Sequence, residues 1–445
     1  MADNTRHTTA GEALRRESDE FVLKCMGDVD MGFVSGEGVR VRDADGREYL
    51  DAISAEWVLN LGYRHPEVRA AIEEALGQID YVSPVFESET RTALAKRLAE
   101  LAPGALSKVL YGISGAAAVE GAMHLAMRTT EGSDFVCLDA AFHGRSFATI
   151  GLTYVHPGMV EGSNRGLDRY LPRQIRIPSY YCYRCPLGLE RETCGLACAE
   201  HIDFALERAH TNGPAGVIVE PFQANGGMVP APEGYLQRAH EISRAHGVPL
   251  ILDEVQGALC RCGPIFASER AGLEPEMIVL GKALGGGLPL SATISVPSYS
   301  ELLPWEYGFT QAGNPVACAA GLAMLEVMIR DDLPANSERM GALLRDRLAE
   351  IERGSKLIGD IRGEGLMVGV ELVRDRSTRE PANAEADLVM GACLEQGLLV
   401  GKTGPVFGSN GNVIKFKPAV NVGEDEIAEM AELFGRALAQ VEATL

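Results

Sequence analysis

Short apolar runs alternate with amphipathic stretches through the middle of this chain. Phe135 to Leu138, Gly216 to Val219, Pro249 to Leu252 and Met277 to Leu280 are the clearest strand candidates. Helical patterns lie between them. Tyr235 to Ala245, for example, places Leu236, Ala239 and Ile242 at helical spacing. Strands alternating with helices from about Pro66 to Leu325 predict an α/β domain with a mostly parallel sheet. Ahead of it, residues 1–35 read as an arm with helical potential, and Val39 to Leu50 as two short strands around an Asp45-Gly46 turn. Beyond it, Leu325 to Arg353 has a helical pattern that Pro334 should interrupt. The strand-like Leu366 to Leu372, a short strand at Val413 to Phe416 and an amphipathic helix from Glu424 to Val441 follow. The expected division is an N-terminal segment (1–65) contributing to a small α+β domain, a large domain (66–325) and a C-terminal small domain (326–445).

The chain has 445 residues, too many for one small core. With 46% hydrophobic and 23% charged residues, its composition is that of a globular protein. No apolar run reaches the roughly 18 residues a membrane span needs. The first twenty residues lack the apolar centre of a secretory signal, so a cytoplasmic location is expected. The net charge of −21 opposes nucleic acid and anionic membranes as partners. Six of the 10 cysteines (Cys25, Cys137, Cys260, Cys262, Cys318 and Cys393) show no framework spacing and are expected to stay reduced.

Four segments carry candidate chemistry. In Pro249-Leu-Ile-Leu-Asp-Glu-Val-Gln256 an apolar strand ends in two carboxylates. Ligands of open α/β sheets sit outside the carboxyl ends of the strands, so Asp253 falls at a site's edge. It could hold a pyridine nitrogen protonated, or simply cap a helix. In Met277-Ile-Val-Leu-Gly-Lys-Ala-Leu-Gly-Gly-Gly-Leu-Pro289, Lys282 follows a strand and sits among glycines. A poorly solvated lysine there can lose its proton, as Schiff-base chemistry needs; a surface lysine beside a loop is the alternative. Ser114-Gly115 opens an alanine-rich helix whose N-terminal amides suit a phosphate, though serine is also a common cap. Phe142, in Ala141-Phe-His-Gly-Arg145, could stack on an aromatic cofactor or pack in the core.

Taken in order, Ser114-Gly115-Ala116, Phe142-His143-Gly144, Glu220-Pro221-Phe222-Gln223, Asp253-Glu254-Val255-Gln256, Gly281-Lys282 and Phe309-Thr-Gln-Ala-Gly-Asn-Pro315 resemble the class III aminotransferases. These are pyridoxal-5′-phosphate (PLP) enzymes of fold type I, and the likeness runs from about Gly36 to the end. The resemblance implies that Lys282 carries PLP as a Schiff base and then moves the substrate's proton. It implies that Asp253 pairs with the pyridine nitrogen, that Gln256 lies near the ring hydroxyl and that Phe142 stacks on the ring. Ser114 with the Gly115 and Ala116 amides would bind the phosphate. His143, Glu220 and Val255 belong to the same cofactor-binding segments. Thr310 would reach the phosphate held by a neighbouring subunit, which implies a homodimer with shared sites.

Departures from the family pattern bear on the substrate. Asn225 stands where many members carry an acidic residue, and Lys415 where they carry an arginine that grips a carboxylate. Lysine keeps the charge without the bidentate fork, and Lys415 could equally be a solvated strand residue. Ala117 stands where the phosphate segment often has glutamate. Trp57 sits over the expected substrate entrance, where it could narrow the opening, stack on a substrate or belong to the core. Cys182, Cys185, Cys194 and Cys198 have C-x2-C-x8-C-x3-C spacing, which suits zinc or an iron–sulfur cluster, as in some relatives; reduced loop thiols or a disulfide are the alternatives. The expected activity is transfer of an amino group from an amine or amino acid to a 2-oxo acid. A racemase or epimerase, a decarboxylating enzyme or a phospho-lyase on the same scaffold is the alternative, with a silent PLP-binding subunit as a third reading.

Overall fold

The computed structural model describes residues 9–24, 31–153, 174–404 and 411–445; Cys25 lies outside them. Seven strands make the central sheet: β1 (Lys108–Gly112), β2 (Asp134–Leu138), β3 (Gln174–Ile177), β4 (Pro214–Val219), β5 (Leu250–Asp253), β6 (Met277–Leu280) and β7 (Ser291–Ser295). Their order across the sheet is β1-β7-β6-β5-β4-β2-β3. Only β7 runs antiparallel to its neighbours; every other pairing is parallel. All residues of β2, β5, β6 and β7 are buried, as expected of a sheet covered on both faces. The helix Tyr235–Ala245 buries Leu236, Ala239 and Ile242, the residues its spacing singles out.

This topology gathers the chemistry. Because β7 is antiparallel to both β6 and β1, strands β1, β2, β4, β5 and β6 all end on the same edge. The segments beginning at Ile113, Asp139, Glu220, Glu254 and Gly281 therefore leave the sheet side by side. That edge is where open α/β sheets hold ligands.

The C-terminal body has an antiparallel sheet of Ile358–Glu364, Met367–Asp375, Val413–Phe416 and Gly401–Lys402. The N-terminal strands Phe33–Glu37, Arg40–Asp43 and Glu48–Asp51 join this body where Leu50 pairs with Leu398. Of the expected helical arm, Ala10–Phe21 is a helix, closed by a Thr9–Glu12 capping box. Residues 33–35 belong instead to a strand. The helical run from Leu325 is interrupted just ahead of Pro334, as its pattern predicts, and Pro334 then opens the next helix. The helix Pro315–Arg330 ends before it, Asp332 is left-handed, and Leu333–Glu352 begins with Pro334 in its first turn, where no amide donor is needed. The expected division at 325/326 falls inside the helix Pro315–Arg330.

Buried charge ties the bodies together. Arg261, fully buried, donates to Asn60 Oδ1 (2.7 Å), Ser54 Oγ (3.0 Å), the Leu366 carbonyl (3.1 Å) and the Pro418 carbonyl. Glu371 on the C-terminal sheet takes Arg362 at 2.8 Å and Arg184 at 2.5 Å. Among the described residues no helix is long and apolar enough to cross a membrane.

Candidate active site

Ten residues from five chain segments line one cavity of 120 Å³: Gly115, Ala116, Phe142, His143, Gly144, Glu220, Asp253, Val255, Gln256 and Lys282. Nine of them are the sequence candidates; Gly144 completes the set. Ser114 lies at the exposed rim as N-cap of the helix Gly115–Thr130, its hydroxyl accepting from the Ala117 amide at 3.1 Å. The amides of Gly115 and Ala116 belong to the first turn, whose N–H groups have no partner within the helix. Glycine is needed here by close approach: a Cβ on Gly115 would stand 2.9 Å from Val255 Cγ1, and one on Gly281 would stand 3.2 Å from the Gly115 Cα.

Asp253 ends β5 and is 6% exposed. Its Oδ2 meets His143 Nδ1 at 2.7 Å and its Oδ1 accepts from the Val255 amide at 3.0 Å. Glu220 ends the run after β4 and accepts from the Phe142 amide at 3.0 Å, which fixes the loop that carries Phe142 and His143. Burial pushes the Glu220 carboxyl up to about 7, against the pull of His143. Phe142 is half-buried, with the Arg145 guanidinium 5.2 Å from its ring centroid. Lys282 sits at a left-handed backbone position (φ 44°), an uncommon conformation for a non-glycine residue and one found at functional sites. Burial lowers the Lys282 ammonium's pKa, opposed by Asp253 and Glu220. Lys282 is half-buried and lines the cavity rather than standing on the open surface.

These residues fit PLP. The N-terminus of the helix Gly115–Thr130, the buried Asp253 carboxylate and the Lys282 amine all border the cavity. His143 Nε2, buried and without a hydrogen-bond partner among the described residues, borders the same space.

Trp57 and Lys415 meet each other. The Lys415 Nζ lies 4.5 Å from the Trp57 ring centroid, and Lys415 is 4% exposed, so it is not a solvated strand residue. Lys417, which the sequence reading leaves without a role, stands 4.0 Å from the same ring and hydrogen-bonds Gln256 Oε1 at 2.8 Å. Lys282 is 5.8 Å from that ring. The signal for Lys417 is its spacing: residues two apart on a strand share a face. Trp57 is held by a left-handed turn. Ser54, Ala55, Glu56 and Trp57 have φ of 42°, 51°, 59° and 72°. For L-residues this costs roughly 1–2 kcal/mol each. Asp51 holds the turn by accepting from the Ile53 and Ala55 amides at 2.8 Å each, and the Ser54 hydroxyl donates to the Lys417 carbonyl at 2.8 Å.

The structure does not bring every candidate here. Asn225 is half-buried in the turn between Phe222–Gln223 and Val229–Pro230 and does not line the cavity. Thr310 is exposed and away from it; its carbonyl accepts from Tyr81 Oη at 2.7 Å. The four clustered cysteines converge on one small pocket between β3 and β4, as free, half-buried thiols. Among the described residues no three His, Cys, Asp or Glu side chains are arranged to hold a metal ion, so the expectation of zinc or iron–sulfur is not met. Burial pushes the Cys198 thiol up to about 11 and raises Cys182. A larger cleft of 710 Å³ beyond Tyr181 contains no lysine, and its Arg270 and Arg362 are paired with Glu338 and Asp360.

Residues 27–438 match the family model described as Aminotransferase class-III. The chain belongs to the class-III aminotransferases. It is 32% identical to a diaminobutyrate–2-oxoglutarate aminotransferase of Haemophilus influenzae, over 90% of this chain and 89% of that one. It is also 34% identical to a leucine/methionine racemase of Thermococcus litoralis, over 92% and 90%. Among solved structures, a Bacillus anthracis aminotransferase superposes with a TM-score of 0.88 at 30% identity, covering 96% of this chain and 98% of that one. This class-III member is an aminotransferase of fold type I, and PLP is its family's cofactor.

Proposed function

We propose that this aminotransferase takes an amino group from an amine or amino acid and delivers it to a 2-oxo acid, with Lys282 as the amine that bonds the cofactor's aldehyde. The observation that carries the assignment is the position of Lys282 in the same cavity as Asp253 and the Gly115–Ala116 amides. Lys415 and Lys417 are also buried and depressed lysines, but neither lines that cavity. PLP, when bound, supplies an electron sink that makes bonds at the substrate's amino-bearing carbon labile.

Each remaining role belongs to the protein. Asp253 would hold a proton on the pyridine nitrogen of bound PLP, and His143 orients that carboxylate. Ser114, Gly115 and Ala116 would hold the phosphate. Phe142 would pack against the ring, and Glu220 fixes the Phe142–His143 loop. Val255 closes the packing behind Gly115, and Gln256 would serve the ring hydroxyl. Lys282, held poorly solvated, accepts the substrate's proton and returns it. Trp57 and Lys415 shape the substrate side. Thr310 serves the partner subunit of a homodimer. That role agrees with its exposure and with the exposed Val85, Phe86, Leu303 and Trp305 on the segments that Tyr81 and Thr310 join. The free thiols suit a reducing, cytoplasmic setting.

The test is a screen of single amino donors without an oxo acid. Loss of the aldehyde form of the cofactor with release of the matching oxo acid or aldehyde is the expected result. A second reading, racemisation, is favoured by the Thermococcus relative and by the absence of an arginine at Lys415. Solvent deuterium entering the substrate with the aldehyde form retained would move the assignment there.

A further inference from the structure

We infer that Cys182 and Cys198 form a thiol–disulfide exchange site, which a small cationic disulfide enters through the cleft beyond Tyr181.

Cys182, Cys185, Cys194 and Cys198 border one pocket of 20 Å³, the space of about one water, and all four are free thiols. Cys182 alone of the four also borders the open cleft of 710 Å³, a volume in the usual range for small-ligand sites. It is therefore the thiol that a reagent in solution meets first. Cys198 stands half-buried in the first turn of the helix Ala197–Phe204. Burial, and after it the charge of Cys182, raises the Cys198 thiol. Cys198 in turn acts on Tyr235, whose ring lies 4.8 Å from that of Tyr180, so this helix start packs beside the segment that leads into Cys182. Cys194 is engaged in its own turn, its Sγ donating to the Arg191 carbonyl at 3.5 Å.

The exchange balances with the small disulfide as the oxidant. Cys182 loses its proton to water and its sulfur attacks one sulfur of the incoming disulfide. That S–S bond breaks, and the other half leaves and takes up a proton. Cys198, likewise deprotonated, then attacks the Cys182 sulfur and expels the second half. Two cysteine thiols become one disulfide, and one small disulfide becomes two thiols. Burial raises the Cys182 thiol, with Arg191 opposing, so the rate climbs as pH rises.

The charge of the cleft selects the reagent. Glu190, Glu192 and Glu233 line it, exposed and without ion pairs among the described residues, against Arg191 as the one such cation. Arg270 and Arg362 are paired with Glu338 and Asp360. A cationic disulfide is drawn in ahead of an anionic one.

The residues before Cys182 reach the cofactor cavity. Tyr180 Oη donates to the Glu220 carbonyl at 2.5 Å, Ser179 Oγ to Gln223 Oε1 and Tyr181 Oη to the Glu371 carboxylate. Glu220 lines the cavity of Lys282. A bridge to Cys198 shifts this segment and its hold on Glu220, which slows the half-reaction; this last step rests on Lys282 being the amine that handles the substrate.

The experiment uses the reduced, PLP-loaded protein, treated with the disulfide of thiocholine or with dithiodipropionate; neither carries an amine that could react with the cofactor. Alkylation and peptide mapping follow, since trypsin cutting at Arg184 and Arg191 separates Cys182, Cys185 and the Cys194–Cys198 segment. The expected product joins Cys182 to that last segment, is released by dithiothreitol, persists in Cys194→Ser and is absent from Cys182→Ser. Cys198→Ser should stop at a mixed disulfide on Cys182. The cationic reagent should react about ten-fold faster at low salt, with the gap closing as salt is added. The oxidised protein should lose about five-fold or more in half-reaction rate and recover on reduction, and Cys182→Ser should be insensitive to the reagent. First modification at another cysteine, or a bridge from Cys182 to Cys185 or Cys194, overturns the site. Equal rates for the two reagents overturn the ligand class, and a bridged protein with unchanged half-reaction overturns the link to Glu220. Cofactor bonded to a lysine other than Lys282 overturns the functional reading instead, and the peptide map still judges the exchange site by itself.

Discussion

Replacing Asp253 by asparagine keeps the shape of the side chain and removes its charge. Asp253 is 6% exposed and touches His143 Nδ1 at 2.7 Å. A unit charge about 3 Å from a proton, at an effective dielectric of about 20, is worth about 5 kcal/mol. Water entry and a turn of His143 recover part of this, leaving roughly 3–4 kcal/mol, or a factor of about 10² to 10³ in rate. The Ser114–Ala116 cradle and Lys282 are untouched, so cofactor affinity should change far less than kcat. The assay is a single-turnover half-reaction at saturating cofactor, with cofactor dissociation measured in parallel. An Asp253→Asn protein that holds its cofactor and keeps kcat within about five-fold of the parent would refute the role given to this carboxylate.

Three further outcomes are expected. Gly144→Ala places a Cβ at φ 128°, 2.7 Å from the Ala116 Cβ, and should cost about 2–4 kcal/mol, read as a lower melting temperature and weaker cofactor retention. Burial lowers Lys415 from 10.5 to about 8, with Lys282 acting the same way and Glu56 opposing. The unfolded chain holds that proton more tightly, so Lys415 destabilises the fold by about 3 kcal/mol below pH 8, and the penalty fades as pH rises toward 10.5. Lys415→Met should therefore raise stability at neutral pH and flatten denaturant midpoints between those values. Elemental analysis of purified protein should find zinc and iron well below one equivalent, and chelators should leave turnover unchanged.

The buried strands were legible because apolar runs such as Met277 to Leu280 bury on both faces, and strand ends mark the ligand edge of an α/β sheet. Lys282 and Asp253 could be singled out for that reason. Trp57 could not be placed, since a left-handed turn of four non-glycine residues runs against local preference and is held by the distant Lys417 carbonyl and Asp51. The burial of Lys415 and Lys417 depends on that same turn. The interruption at Pro334 was legible, but not that the proline opens a second helix, because a proline that breaks one helix also suits the first turn of the next. The cysteine spacing resembled a metal site, but spacing along the chain does not fix where the thiols point, and among the described residues no three such side chains are arranged to hold a metal ion.

Three lysines, Lys415 and Lys417 buried and Lys282 half-buried, share one tryptophan, and the account depends on which of them bonds the cofactor. Borohydride reduction of the PLP-loaded protein, followed by peptide mass mapping, answers this directly. The pyridoxyl group is predicted on Lys282, with Lys415 and Lys417 unmodified. A pyridoxyl group on Lys415 or Lys417, or cofactor that remains removable after reduction, would contradict it.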